Sequence, residues 1–284
     1  MQGCSAVGAC SDTGAVPGLA MRFLGHSTVR LELAGSVVLT DPVLTARVGP
    51  LRRTGPLPDP AHFADTDLVL LSHLHGDHLH LPSLRLLPPT ARVVVPRGAG
   101  GWLRRRGIRN VDELAPGEEL EHGALRVHGV PAAHSGHRFG PRSTHGPQAA
   151  AMGHLVEAGR HRVYAAGDTD LFRGMAGFGP LTAALLPVWG WGLSLGPGHL
   201  DPHRAAEAVG LLRPRVAVPV HWGTLAVSGL PRLPGGIGAR MRRLLVEPPH
   251  RFAAAVAAAG ERTRVLVTEP GAAVALDGAQ PVAR

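Results

Sequence analysis

Short apolar stretches, each soon broken by glycine, proline or charge, run through most of this chain. Apolar and polar residues alternate over 28–33, which predicts a half-buried strand, and 21–24 and 37–40 read as strands beside it. The apolar run 68–71, entered from Asp67 and closed by Ser72, predicts a buried strand. Strands are also expected at 92–95, 125–130, 149–157, 161–166, 183–187 and 264–268, with a hairpin through Ala158-Gly-Arg160. Four segments read as helices. Residues 82–87 begin on a proline, 99–106 end before Gly107, and 201–210 start with Asp201 as cap and Pro202 at the first helical position. A later helix is expected over 249–259. The order is strand-rich halves, each closed by helices, with a loop rich in Pro, Gly and Arg over 42–60.

A chain of 284 residues can bury a full core, and no Pro/Gly/Ser linker divides it. One domain over 21–284 is the natural reading. The formal charge of +8 raises a nucleic-acid partner, yet every cation is Arg, no Lys is present, and aromatics make up only 4% of the chain. Without a long Arg run or an interleaved aromatic stripe, the basic residues read as solvated surface, and nucleic acid is not the expected partner. Cys4 and Cys10 both precede the first strand, so no disulfide scaffold holds the core. Residues 1–20 lack the basic start and apolar stretch of a signal peptide, read as a disordered extension, and make Met21 a plausible true start. No apolar run approaches the roughly 20 residues of a membrane helix. A cytoplasmic bacterial protein is expected, its oligomeric state open.

Chemistry concentrates in Ser72-His-Leu-His-Gly-Asp-His-Leu79, which places His73, His75, Asp77 and His78 directly after the buried strand. Three imidazoles and a carboxyl have no packing purpose there, because each costs desolvation if buried alone. A divalent metal gives all four a partner, and a turn at this point lets one segment serve two neighbouring ions. The stretch resembles the metal-binding motif of the metallo-β-lactamase superfamily. That resemblance implies an α+β fold, the four-layered αββα sandwich, with further ligands at the ends of later strands. His134, Asp168 and His221 stand at the matching places. By the resemblance, His73, His75 and His134 would hold one metal and Asp77, His78 and His221 the other, with Asp168 bridging.

Gly25-His-Ser-Thr28, Thr40-Asp-Pro42, Gly167-Asp-Thr169, Gly198-His-Leu-Asp-Pro202 and His221-Trp-Gly-Thr224 resemble one branch of the superfamily. It holds the ascorbate-phosphate lactonases and the phospholipase D that hydrolyses N-acyl-phosphatidylethanolamines, and the likeness extends over 21–276. It implies two divalent ions, for which an imidazole and carboxyl set without thiolate suits Zn²⁺ best and tolerates Mn²⁺ or Fe²⁺. A metal-bridging hydroxide would attack a phosphodiester, phospholipids included, or a lactone, with a small-molecule or lipid-like substrate. Asp77 and Asp168 are expected to hold and polarise the nucleophile as well as the metals, and His199 to contact substrate or supply a proton. His26, Trp189 and Trp191 are candidates for substrate contact. His137 and His145 are candidates for lining the cavity, while His80 and His154 read as surface or core fillers. Residues 228–246 exceed the usual length of the branch here and read as a candidate flap. Two alternatives stand beside this reading: a nucleic-acid-processing nuclease of the same fold, and a non-catalytic metal-binding protein.

Overall fold

The computed structural model describes residues 18–139 and 146–276, and these form two seven-stranded sheets and a three-stranded one. The first large sheet runs, edge to edge, Ala273–Ala275, Ala20–Gly25, Thr28–Leu33, Ser36–Thr40, Leu68–Leu70, Arg92–Pro96 and Val111–Leu114. Its first four strands pair antiparallel and the rest parallel. The second sheet mirrors this plan. Glu119–His122, Leu125–Pro131, Met152–Ala158 and His161–Ala165 form an antiparallel meander, and Ala183–Pro187, Val216–Val220 and Arg264–Val265 follow in parallel.

Side-chain alternation decides the layers. Leu68 and Leu70 join Phe23, Leu31, Val127, Val156 and Leu185 in the main core cluster, which draws on both sheets. Val69 and Leu71 point the other way, into a second cluster with Leu84 and Leu103 from the short helices Leu81–Leu84 and Gly100–Arg104. The helices Pro202–Leu212 and Glu247–Ala258 pack against one another and bury Val209, Leu212, Phe252 and Val256 against the second sheet. The result is the expected αββα sandwich. Leu68–Leu70, Ala183–Pro187 and Val216–Val220 are buried at every position, as parallel strands covered on both faces must be. Asp201 caps its helix by accepting from the backbone N–H groups of His203 and Arg204.

Several elements differ from the sequence expectation. Val111–Leu114 and Glu119–His122 are edge strands with charged centres, polar enough to hide their pairing. The segment expected as a flap instead forms the helix Gly235–Leu244, whose Met241 and Leu244 pack with Ala226 and Trp189. None of its residues lines the main cavity. The first strand starts at Ala20, which pairs with Glu32 and Ala275, and Leu19 is fully buried in the core. Ordered chain therefore begins before Met21. Cys4, Cys10 and His145 lie outside the described residues.

Candidate metal centre

The strand Leu68–Leu70 delivers the chain into the 72–79 turn, where Leu74 and Leu79 are fully buried anchors in the second core cluster. With these two leucines turned inward to the helices, His73, His75, Asp77 and His78 are aimed at the ends of the second sheet's strands. His73 Nε2 lies 3.0 Å from His75 Nδ1, which lies 3.0 Å from His134 Nε2. Beside this trio, His78 Nε2 is 3.1 Å from His221 Nε2, and Asp77 Oδ2 is 3.9 Å from the same atom. Asp168 stands between the sets: its Oδ1 is 3.1 Å from His221 Nε2, and its Oδ2 is 3.3 Å from His78 and 3.9 Å from His73. All seven residues expected as ligands thus come together, in overlapping clusters that also take in His26 beside Asp77, His78 and His221, and His199 beside His134 and Asp168.

Hydrogen bonds orient four of the five imidazoles. His134 Nδ1–H donates to Gly198 O at 2.7 Å and His221 Nδ1–H to Trp189 O at 2.7 Å. His78 Nδ1–H donates to Asp41 Oδ2 at 2.8 Å. His73 Nδ1–H donates to Ser72 Oγ at 2.9 Å, whose own hydroxyl donates to Asp41 Oδ2 at 2.6 Å. These tautomers follow from the network, and they leave Nε2 of these four imidazoles as a bare lone pair, while His75 turns its Nδ1 to the group. Asp41 therefore orients two candidate ligands, one directly and one through Ser72. Sequence reasoning gave it no role. Its only signal was Thr40-Asp-Pro42 at a strand end, which does not say that the carboxyl turns beneath another loop.

These residues fit a divalent ion. Three bare imidazole nitrogens about 3 Å apart repel one another unless a cation sits among them. Around a tetrahedral ion with metal–nitrogen bonds of about 2.0–2.1 Å, neighbouring ligand atoms stand about 3.3 Å apart. Asp168 Oδ1 is buried without a hydrogen bond. Burial pushes His75 down to about 4 and His221 to about 3, so both keep lone pairs for a metal. His78 behaves oppositely: burial lowers it, but Asp168 and Asp41 more than offset that and hold it well above its ordinary value. Burial raises Asp168, yet His221 and His78 hold its carboxyl well below the usual range. The two carboxyls call for positive charge beside His78, which a divalent cation supplies.

Gly167 and Gly198 show how closely the backbone is drawn in. Gly167 has φ +62°, and a Cβ there would stand 2.3 Å from the Ser72 Cβ, so only glycine can bring Asp168 against the 72–79 turn. Gly198 has φ +80°, and its carbonyl holds His134.

A cavity of about 910 Å³ opens over the centre, with His75, Asp77, His134, Asp168, His199 and His221 in its wall. Val48, Leu51, Phe139 and Leu195 add apolar surface. His199 donates from Nδ1 to the carbonyls of Gly196 and Pro197, which leaves Nε2 3.4 Å from Asp168 Oδ2. The two tryptophans separate. Trp191 is 40% exposed in the cavity wall and donates from its indole N–H to Asp77 Oδ2 at 3.1 Å. Trp189 is packed between two apolar clusters, does not line the cavity, and supplies the carbonyl that holds His221. His26 is 1% exposed and does not face the cavity. Its Nε2 lies 3.0 Å from Asp77 Oδ2 and its ring 3.9 Å from that of His221, behind the centre rather than before a substrate. His80, expected as a surface or core filler, lines the cavity, whereas His137 pairs with Gln148 and does not.

An αββα sandwich carrying paired His/Asp groups at its strand ends defines a metallo-β-lactamase-type protein. The model of the β-lactamase superfamily domain matches residues 37–222, and the chain belongs to the metallo-β-lactamase superfamily of metal-dependent hydrolases. A metal-dependent hydrolase of Methanopyrus kandleri is 31% identical over 255 residues, covering 88% of this chain and 96% of that protein. An uncharacterized protein of Mycobacterium tuberculosis is 33% identical over 251 residues, and N-acyl-phosphatidylethanolamine-hydrolyzing phospholipase D 1 of Caenorhabditis elegans is 31% identical over 234. These alignments cover 82% and 73% of this chain, which spans 65% of the mycobacterial protein and 64% of the nematode one. Among solved structures, the metallo hydrolase Igni18 of Ignicoccus hospitalis superposes with a TM-score of 0.67 at 25% identity, over 91% of this chain and 98% of its own. No helix among the described residues is long and apolar enough to cross a membrane.

Proposed function

We propose that this protein is a dinuclear metal-dependent hydrolase acting on a phosphodiester or lactone with an apolar portion. The observation that carries the reading is the pair of ligand groups sharing Asp168 in the wall of one cavity. His73, His75 and His134 would hold one ion, Asp77, His78 and His221 the other, with Asp168 between them. Zn²⁺ suits this set best, and Mn²⁺ or Fe²⁺ is tolerated. Two such ions, when bound, acidify water toward neutral pH and polarise the scissile centre.

The chain's own residues supply the rest. Asp77 is held from two sides, by His26 Nε2 and by the Trp191 indole, so its carboxyl stays fixed while a substrate occupies the cavity. Burial lowers His199, but the bond to Asp168 prevails and raises it above its ordinary value, which favours a proton on Nε2. Facing the cavity, that proton can pass to a leaving oxygen. Val48, Leu51, Phe139, Trp191 and Leu195 give an apolar lining suited to an acyl or alkyl portion. The phospholipase D activity in the nematode relative's name supports the phosphodiester class. Metal analysis of protein purified without chelator should approach two equivalents per chain. Turnover of bis-p-nitrophenyl phosphate, simple lactones or N-acyl phospholipids should depend on them. A reproducible single equivalent, not raised by added Zn²⁺ or Mn²⁺, rejects the dinuclear reading.

A further inference from the structure

Arg138 is the one guanidinium among the described residues lining the cavity, and none of the hydrolytic roles above uses it. Its Nη1 donates to Leu74 O and Leu79 O, both at 2.6 Å, so its two hydrogens grip both ends of the 73–78 segment. The backbone around it is tied down by Arg138 N–H to Pro147 O and by Ala149 N–H to Gly136 O. The Trp102 ring centroid lies 5.2 Å from its guanidinium carbon. The cation is therefore fixed in place, unlike a surface arginine free to swing into water.

What the arrangement lacks is an anion. Arg30, Arg92, Arg97, Arg162 and Arg204 each have a carboxylate partner, but Arg138 has none within ion-pair distance among the described residues. The cavity's carboxyls, Asp77 and Asp168, are committed to the histidine groups. Burial lowers the guanidinium's pKa, and Asp77 is near enough to oppose this, though not to pair. A guanidinium has five N–H donors, of which Nη1 carries two. The Nε/Nη2 edge remains, and this is the fork that matches a carboxylate or phosphate in two parallel hydrogen bonds.

We infer that Arg138 is a specificity-determining residue that receives an anionic group of the substrate on its Nε/Nη2 edge, while the apolar wall takes the remainder. The ligand chemistry is an oxyanion on an apolar chain, from either a phosphate or a carboxylate. This assignment rests on the hydrolase reading of the same cavity.

Calorimetric titration of the zinc-loaded protein with hexyl phosphate, hexanoate and hexanol tests it. Arg138→Met should weaken hexyl phosphate or hexanoate by about 10- to 100-fold, the scale of a charge-assisted pair, and leave hexanol unchanged. Arg138→Lys, with charge but no fork, should fall between. The anion losing more identifies the source, and direct binding to zinc cancels in the comparison because both forms carry it. Bound zinc per chain should stay at the parental value. Equal weakening of hexanol, a fall in bound zinc, or unchanged anion affinity would each overturn the assignment, since Arg138 would then only shape the cavity or brace the 73–78 segment. The hydrolase reading fails on a different measurement, the absence of metal or turnover in the unsubstituted protein.

Discussion

Replacing Asp41 by asparagine should weaken metal binding without touching a ligand. Asp41 is 2% exposed, has φ +35° and accepts three hydrogen bonds: Ser72 N–H at Oδ1, and Ser72 Oγ–H and His78 Nδ1–H at Oδ2. Asparagine tolerates this left-handed backbone, so the change isolates the hydrogen bonds. Its single carbonyl oxygen can serve one side only. Turned toward His78, it sets its NH₂ against the Ser72 N–H. Turned the other way, it sets NH₂ against the His78 Nδ1–H, and His78 is relieved only by moving its proton to Nε2, which removes the lone pair aimed at the centre. A buried donor left unpaired costs about 1–3 kcal/mol. Loss of such an outer partner typically lowers metal affinity 10- to 100-fold, or about 1.4–2.7 kcal/mol. His73 is affected too, because Ser72 links it to the same carboxyl. Chelator-competition titration of Asp41→Asn should therefore give a metal dissociation constant raised by that factor, with unchanged far-ultraviolet circular dichroism. Parental affinity in the variant would refute the orienting role of Asp41.

Three further outcomes are expected. His199→Ala should keep its metal and lose on the order of 10²-fold in rate on the best substrate found, whereas His221→Ala should lose metal and activity together; metal loss in His199→Ala would make it a ligand instead. His154 is fully buried, and burial pushes it from 6.5 down to about 4. Below pH 6.5 the unfolded chain takes up a proton that the folded one refuses, so stability present above pH 6.5 is lost toward pH 4 by about 1.4 kcal/mol per pH unit. Denaturant unfolding of His154→Gln should show a flatter decline between pH 6.5 and 5 than the parent, and equal slopes would reject the assignment. A chain starting at Met21 should lose about 1.5–3 kcal/mol of unfolding free energy relative to one starting at Gly18, with the Leu19 side chain; equal stability of the two would place Leu19 outside the cooperative core.

Much of the candidate centre was legible because its candidate ligands obey local rules. His73, His75, Asp77 and His78 share one turn, and His134, Asp168 and His221 each follow a strand whose apolar pattern is visible. Strand identity likewise came from local patterning, as at 68–71, where burial on both faces demands an unbroken apolar run. The polar edge strands Val111–Leu114 and Glu119–His122 were not legible, since an edge can be polar and the pairing partner alone makes it a strand. Helix Gly235–Leu244 was hidden by its glycines and gained its place from Met241 and Leu244 packing on Trp189. Sequence, then, determined which residue types could bind a metal and that they lie at strand ends. Tertiary structure decided what surrounds them: Asp41 under His78, His26 behind Asp77, Trp191 in the wall but Trp189 in the core, and Arg138 braced on Leu74 and Leu79 in the cavity wall. Those roles depend on contacts between residues tens to more than a hundred positions apart, and no local periodicity encodes which side of a side chain meets which distant partner.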